Sequence, residues 1–156
     1  MLVDLGSIFF GSMLPLTELR ASIPVGLVAY DYHPLLIMGV ALLGNLVPVV
    51  IILWWFDPVT HWLMRRSPLL NRFFTWLFRY TFHKHSAKFD RWGSLALLIF
   101  TAIPLPVTGG WTASFLAYLF GIRFRYAFIN IALGLLVAAG LVTVLALGGI
   151  SLAQGQ

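Results

Sequence analysis

Two ionisable residues stand in an otherwise apolar stretch where charge is expensive. Glu18 and Arg20 occur in Pro15-Leu16-Thr17-Glu18-Leu19-Arg20-Ala21-Ser22-Ile23-Pro24, between the apolar runs Leu5–Leu14 and Val25–Tyr30. A charge at the centre of a bilayer costs about 2.5–3.5 kcal/mol even on the gentlest scale, so such residues pair or face a wet cavity. A carboxyl taken out of water favours its protonated form, which suits Glu18 to carrying a proton. The planar fork of a guanidinium matches an anionic headgroup, which suits Arg20 to clamping one. A local ion pair pinning the turn is the competing structural role for both.

A second stretch carries backbone chemistry instead. In Thr101-Ala-Ile-Pro104-Leu-Pro106-Val-Thr108-Gly109-Gly110-Trp111, two prolines interrupt any helix arriving from Leu95. Gly109, Gly110 and the start of the helix at Trp111 can present free N–H groups to an anion. Tight packing of two helix ends against each other would use the same glycines. Thr17, Ser22, Thr108 and Thr112 can line a cavity or satisfy backbone groups freed by the breaks; the second role is the expectation. Elsewhere His83-Lys84-His85 lacks a third ligand and reads as a solvated basic turn. No metal, no cofactor and no enzyme activity is expected, since neither a nucleophile motif nor a phosphate-binding loop occurs.

Composition states where these residues must sit. Of 156 residues, 60% are hydrophobic and 10% charged, against about 45–50% and about 25% in soluble domains. The chain therefore reads as one integral membrane domain. Cysteine is absent, which excludes disulfides and thiolate chemistry. The Met-Leu-Val-Asp start lacks the basic region of a cleaved signal peptide, so the first apolar stretch is expected to be retained. The net charge of +5 is concentrated between Arg65 and Arg91, with Arg123 and Arg125 beyond. Basic clusters beside apolar runs mark cytoplasmic segments facing anionic lipid, not a nucleic-acid surface.

The positioning elements follow from length. Residues 35–55 make a helix of about 31 Å, enough to cross a hydrocarbon layer of about 30 Å. Gly39 and Gly44 allow close helix contact and Pro48 a kink, while Trp54 and Trp55 are interfacial anchors. Residues 126–149 form the second span, rich in small residues. Asp57-Pro58 and Ser67-Pro68 both resemble helix starts. Leu70, Phe73, Phe74, Leu77 and Phe78 then recur at helical spacing, so 58–91 is expected to be amphipathic and interfacial. Asn45 is expected to bond a neighbouring helix. Were 93–121 to cross the bilayer, Arg123 and Arg125 would emerge opposite the other basic residues, so it is expected to dip in and return. Residues 5–30 are expected to form a matching hairpin. Pro15-Leu16-Thr17 and Pro104-Leu105-Pro106 stand about ninety residues apart, as do Leu43-Gly44 and Leu133-Gly134. The predicted fold is all-α: two transmembrane helices and two re-entrant helical hairpins in an inverted repeat, an arrangement typical of secondary transporters.

Thr17-Glu18-Leu19-Arg20-Ala21-Ser22-Ile23-Pro24 and Ala102-Ile103-Pro104-Leu105-Pro106-Val107-Thr108-Gly109-Gly110-Trp111 together resemble the small multidrug export family of bacterial membrane proteins, and more distantly the DedA/VTT superfamily. The resemblance covers roughly residues 12–149. It implies facing re-entrant loops, a bacterial inner-membrane location and transport, with drug-like molecules or lipid-linked phosphates as substrate classes. Glu18 matches the acidic residue of the superfamily's first loop. The arginines that DedA proteins carry around the second loop are missing between Ile103 and Trp111.

These readings converge on a transporter of an amphipathic substrate, with proton coupling through Glu18. Its expected site is Thr17, Glu18, Arg20, Pro104, Pro106, Thr108, Gly109, Gly110 and Trp111. Membrane lipids are the expected partners. A homo-oligomer is also expected, because so small a monomer shields its hairpins poorly. A passive scramblase or channel, and a non-transporting scaffold recruiting partners through its basic helix, are the alternatives.

Overall fold

A computed structural model describes residues 2–69, 71–72, 75–76, 87–104 and 108–154, and no strand occurs among them. The apolar positions Leu70, Phe73, Phe74, Leu77 and Phe78, the His83-Lys84-His85 turn and Pro106 lie outside the described residues. Six helices have bounds among the described residues: α1 Leu2–Met13, α2 Glu18–Ala29, α3 Pro34–Arg66, α4 Ala87–Ala102, α5 Gly110–Leu119 and α6 Phe124–Gln154. Two contain runs long and apolar enough to cross a membrane, Pro34–Phe56 and Phe124–Ala153, with mean hydropathy 2.6 and 2.5.

Each half of the chain repeats one pattern: a short helix, a break, a second short helix and a long helix. Break 1 follows from Pro15, which cannot donate to the carbonyl of Gly11 four residues back. The Thr17 hydroxyl donates to that carbonyl instead. Break 2 starts at Pro104 and ends at Gly109, and the Thr108 hydroxyl returns to the Ile103 carbonyl at 2.6 Å. In both breaks a threonine hydroxyl donates to a backbone carbonyl at or beside the end of the preceding helix.

Two expectations about local structure are corrected. The polar stretch after Thr17 is helical from Glu18 onward, with Pro24 inside α2. Proline there removes the bond to the Arg20 carbonyl and crowds it, about 3 kcal/mol in all, and full burial of Leu19 and Ile23, about 1.5–3 kcal/mol each, offsets that loss. Likewise α3 does not end at Asp57-Pro58 but runs on to Arg66, with Pro48 and Pro58 inside it. The interruption comes at Ser67, whose carbonyl accepts from Asn71 at 3.0 Å.

Packing reproduces the pattern in each half. α1 lies against α3, and α4 against α6. A Cβ on Gly44 would strike the Ser12 hydroxyl and the Phe9 carbonyl; one on Gly134 would strike the Thr101 hydroxyl and stand 2.7 Å from the Leu98 carbonyl. Ser12 donates to Phe9 at 2.8 Å, and Thr101 to Leu97 at 2.8 Å and Leu98 at 3.1 Å. The same contact is thus built twice, about ninety residues apart. Each second short helix also crosses to the opposite half, α2 onto α6 and α5 onto α3.

Contacts along α3 place the breaks at mid-height. Ile37, near its start, faces Gly26 of α2, and the Tyr30 hydroxyl hydrogen-bonds Ser7 at 2.9 Å. Gly44, further along, meets the end of α1. Asn45 and Val49 face Gly110 at the start of α5, while Phe115 and Tyr118 stack edge-on against Phe56 at ring distances of 5.6 and 4.9 Å. So α1 and α2 occupy the Pro34 end of α3, and α5 runs from its middle to the Phe56 end. α5 closes where Gly121 adopts φ 62°, with Ile122 donating to Ala117 at 2.9 Å and Gly121 to Tyr118 at 3.0 Å. That left-handed position is one glycine accepts at little cost.

Candidate functional site

The two breaks meet. A helix leaves its last carbonyls without intrahelical donors, and here each half supplies a donor to the other. Arg20 Nη2 donates to the Thr108 carbonyl at 2.8 Å, to the Thr108 hydroxyl at 3.0 Å and to the Ile103 carbonyl at 3.3 Å. In return the Trp111 indole N–H donates to the Met13 carbonyl at 2.9 Å. Met13 is the last residue of α1 and Ile103 the first after α4, while Arg20 and Trp111 are the third residue of α2 and the second of α5. In this clasp each half thus serves the other's helix end, with different chemistry.

Glu18 adds a third link. It is buried, and it is the one non-glycine residue with positive φ (43°) among the described residues. Its carboxylate lies where a Cβ on Gly109 would be and accepts a hydrogen bond from the Trp111 backbone N–H. Gly109 is the N-cap of α5 and has no side chain to cap with. Glu18 supplies the cap from the other half, with its negative charge at the positive end of the helix. The Glu18 and Arg20 charges attract, but Arg20 is extended across to break 2 rather than folded back.

An open cleft of about 290 Å³ lies against this junction, walled by Pro15, Leu16, Thr17, Glu18, Arg20, Ala21 and Pro104. A second cleft of about 260 Å³ shares Thr17 and Ala21 with it and continues between α1 and α2, past Ser7, Ile8, Gly11, Ser22, Val25 and Tyr30. The first is mixed in character. The second is mainly apolar, with hydroxyls along one side.

The expected site residues are thus distributed as follows. Thr17, Glu18, Arg20 and Pro104 wall the cleft. Thr108, Gly109 and Trp111 hold the two charged side chains. Gly110 faces the other way, towards Asn45, Val49 and Leu135. Ser22 and Thr17 line the second cleft as well, so the hydroxyls serve both roles considered from sequence. Asn45 does not make the interhelical bond expected of it: it is fully buried, and neither amide atom has a partner among the described residues. Asn130 bonds its own helix, at the Tyr126 carbonyl, 2.9 Å away. The carbonyls of Met13 and Ile103 were missed by side-chain reasoning; their signal was the proline two residues beyond each helix end. No group of three or more metal-ligating side chains occurs among the described residues.

A family model described as "Putative small multi-drug export protein" matches residues 18–141. The match begins at the carboxylate that caps α5 and includes both long helices up to Leu141. No curated protein and no solved structure matches the chain.

Proposed function

The chain belongs to the small multi-drug export family, and from that premise we propose that it moves an amphipathic substrate across the membrane at the junction of its two breaks. The carrying observation is the cleft at that junction, charged at one end and continuous with an apolar groove. Arg20 uses Nη2 on break 2, which leaves donors on Nη1 and Nε for an anionic headgroup, lipid-linked or drug-like. The groove past Ile8 and Val25 suits the apolar remainder. Glu18 couples the cycle to protons, because protonating its carboxylate weakens the α5 cap.

We read the short helix pairs as re-entrant hairpins entering from opposite faces, hence an inverted repeat. Their positions along α3 support this, since the two tips meet halfway and the outer ends point to opposite ends of Pro34–Phe56. The basic segment 65–91 then faces the cytoplasm of a bacterial inner membrane, and exposed apolar residues on α3 and α6 meet lipid or a second copy. Single cysteines at Ile122 and Ser7, labelled in intact cells with an impermeant thiol reagent, test the topology. Protection of Ile122 with labelling of Ser7 is expected; external labelling at Ile122 removes the second hairpin.

Transport is tested in proteoliposomes loaded with a fluorescent anionic amphiphile, with and without a pH gradient. Movement that the gradient accelerates, and that Arg20→Ala and Glu18→Gln abolish, is expected. Movement indifferent to the gradient and to Glu18→Gln identifies a passive scramblase or channel. No movement at all, with function in cells dependent on the basic residues, identifies a scaffold.

A further inference from the structure

Asn45 is placed where the fold has no packing need for an amide. It sits midway along the Pro34–Phe56 run of α3, fully buried, with both Nδ2 and Oδ1 unpartnered among the described residues. A buried polar group without a hydrogen bond is destabilising. Its counterpart in the other half, Leu135, touches the same Gly110 and is apolar, so the position accepts an aliphatic side chain. What distinguishes Asn45 is its neighbour. Its Oδ1 lies 2.8 Å from where a Cβ on Gly110 would stand, at the first residue of α5. That helix has no cap of its own, and Glu18 serves it from beside Gly109, the residue before. Asparagine is among the best N-capping side chains.

We infer that Asn45 is the second cap of α5, taking over its N-terminus when the Glu18 carboxylate leaves. Two caps flank one helix end, one occupied and one poised. The inference deepens the transport reading, which requires Glu18 to change state, by naming what receives α5 when it does. Without a successor, every departure of Glu18 would leave the N–H groups of residues 110–112 without a protein acceptor. With Asn45, the helix end exchanges one acceptor for another, and the unpartnered amide is explained as the resting half of that exchange.

The test is a thermal-unfolding cycle on the detergent-solubilised full chain, comparing the unmodified protein, Asn45→Leu, Glu18→Ala and the double variant. It uses no substrate, so it stands apart from whether transport is observed. Asn45→Leu is expected to raise the midpoint by a few degrees alone, by removing an unpartnered amide. In the Glu18→Ala background the same change is expected to lower it, by removing the remaining cap. Any result other than this inversion of sign overturns the inference. Should Asn45→Leu fail to accumulate, hydrogen exchange on Glu18→Ala decides alone. Continued protection of the Trp111 and Thr112 amides supports the takeover, and exchange as fast as at an open helix end overturns it.

Discussion

Break 1 and break 2 solve one backbone problem with different side chains. Each follows a short helix with a proline two residues beyond its end, each carries a threonine hydroxyl that donates to a carbonyl at or beside that end, and each half sends one donor to the opposite helix end. Break 1 sends a guanidinium; break 2 sends an indole. Where break 1 has Glu18, break 2 has Gly109, whose missing side chain makes room for that carboxylate. Gly11 in α1 similarly leaves space beside Ser22, and Phe100 holds the corresponding place in α4. The backbone plan is shared, while charge and cleft belong to one side. Two similar helix paths thereby carry unlike side chains where they meet.

The comparison can be broken most severely at the shared frame. Gly44→Val and Gly134→Val each force a side chain into a helix contact that includes backbone carbonyls, and overpacking of this kind costs about 1–3 kcal/mol or more. Equal loss of monodisperse protein on size exclusion would confirm that the halves carry matched contacts. A tolerated change in one alone would show that the likeness is only in the fold path.

Next comes the charged arm of the clasp. Arg20→Ala removes charge-assisted bonds to Thr108 and Ile103, each kind contributing about 1.5–3 kcal/mol when buried and less at this half-buried position. Arg20→Lys should recover part of that stability, since one ammonium can reach a carbonyl without reproducing the fork. The indole arm is weaker. Trp111→Phe loses one neutral hydrogen bond, about 0.5–1.5 kcal/mol, together with the packing of the larger ring. A Trp111→Phe cost above that of Arg20→Ala would invert the ranking of the two arms.

Gly109→Ala sharpens the comparison further. The added methyl displaces the Glu18 carboxylate from the α5 cap, a loss of about 1 kcal/mol. In a Glu18→Ala background the same change should cost almost nothing. Thermal midpoints of the four proteins decide it, and additive costs would mean that Glu18 is not the cap.

The smallest effect lies outside the breaks, at the tie between Tyr32 and Asp4 before α3. The Tyr32 hydroxyl donates to Asp4 Oδ2 at 2.9 Å, which holds the phenol above its ordinary value of 10.0. The folded state therefore keeps a proton that the unfolded state releases. That contribution is present below about pH 10 and is lost as pH rises through the folded value. Tyr32→Phe should remove this alkaline decline while leaving the clasp untouched, as read from unfolding between pH 8 and 11.

Much of this was legible before any coordinates. Hydropathy and length marked the two long helices, because burying apolar surface in lipid is a property of a run of residues. Pro15, Pro104 and the Gly109-Gly110 pair marked both breaks, since proline and glycine act on their own backbone. Glu18 and Arg20 stood out as charges in an apolar context, and the paired motifs carried the family. Local signals misled at Pro24 and Pro58, where the cost of a proline was too small to end a helix held by its neighbours.

Only the tertiary structure decided what meets what. That Arg20 donates to Thr108 rather than pairing with Glu18, that Trp111 reaches Met13, and that Glu18 caps a helix beginning ninety residues later are facts about distant segments. No propensity or periodicity encodes them, because each depends on how the short helices lie along α3. Asn45 shows the same limit from the other side. Its residue type was plain in the sequence, but its lack of a partner among the described residues, and the helix end waiting beside it, arise from packing alone.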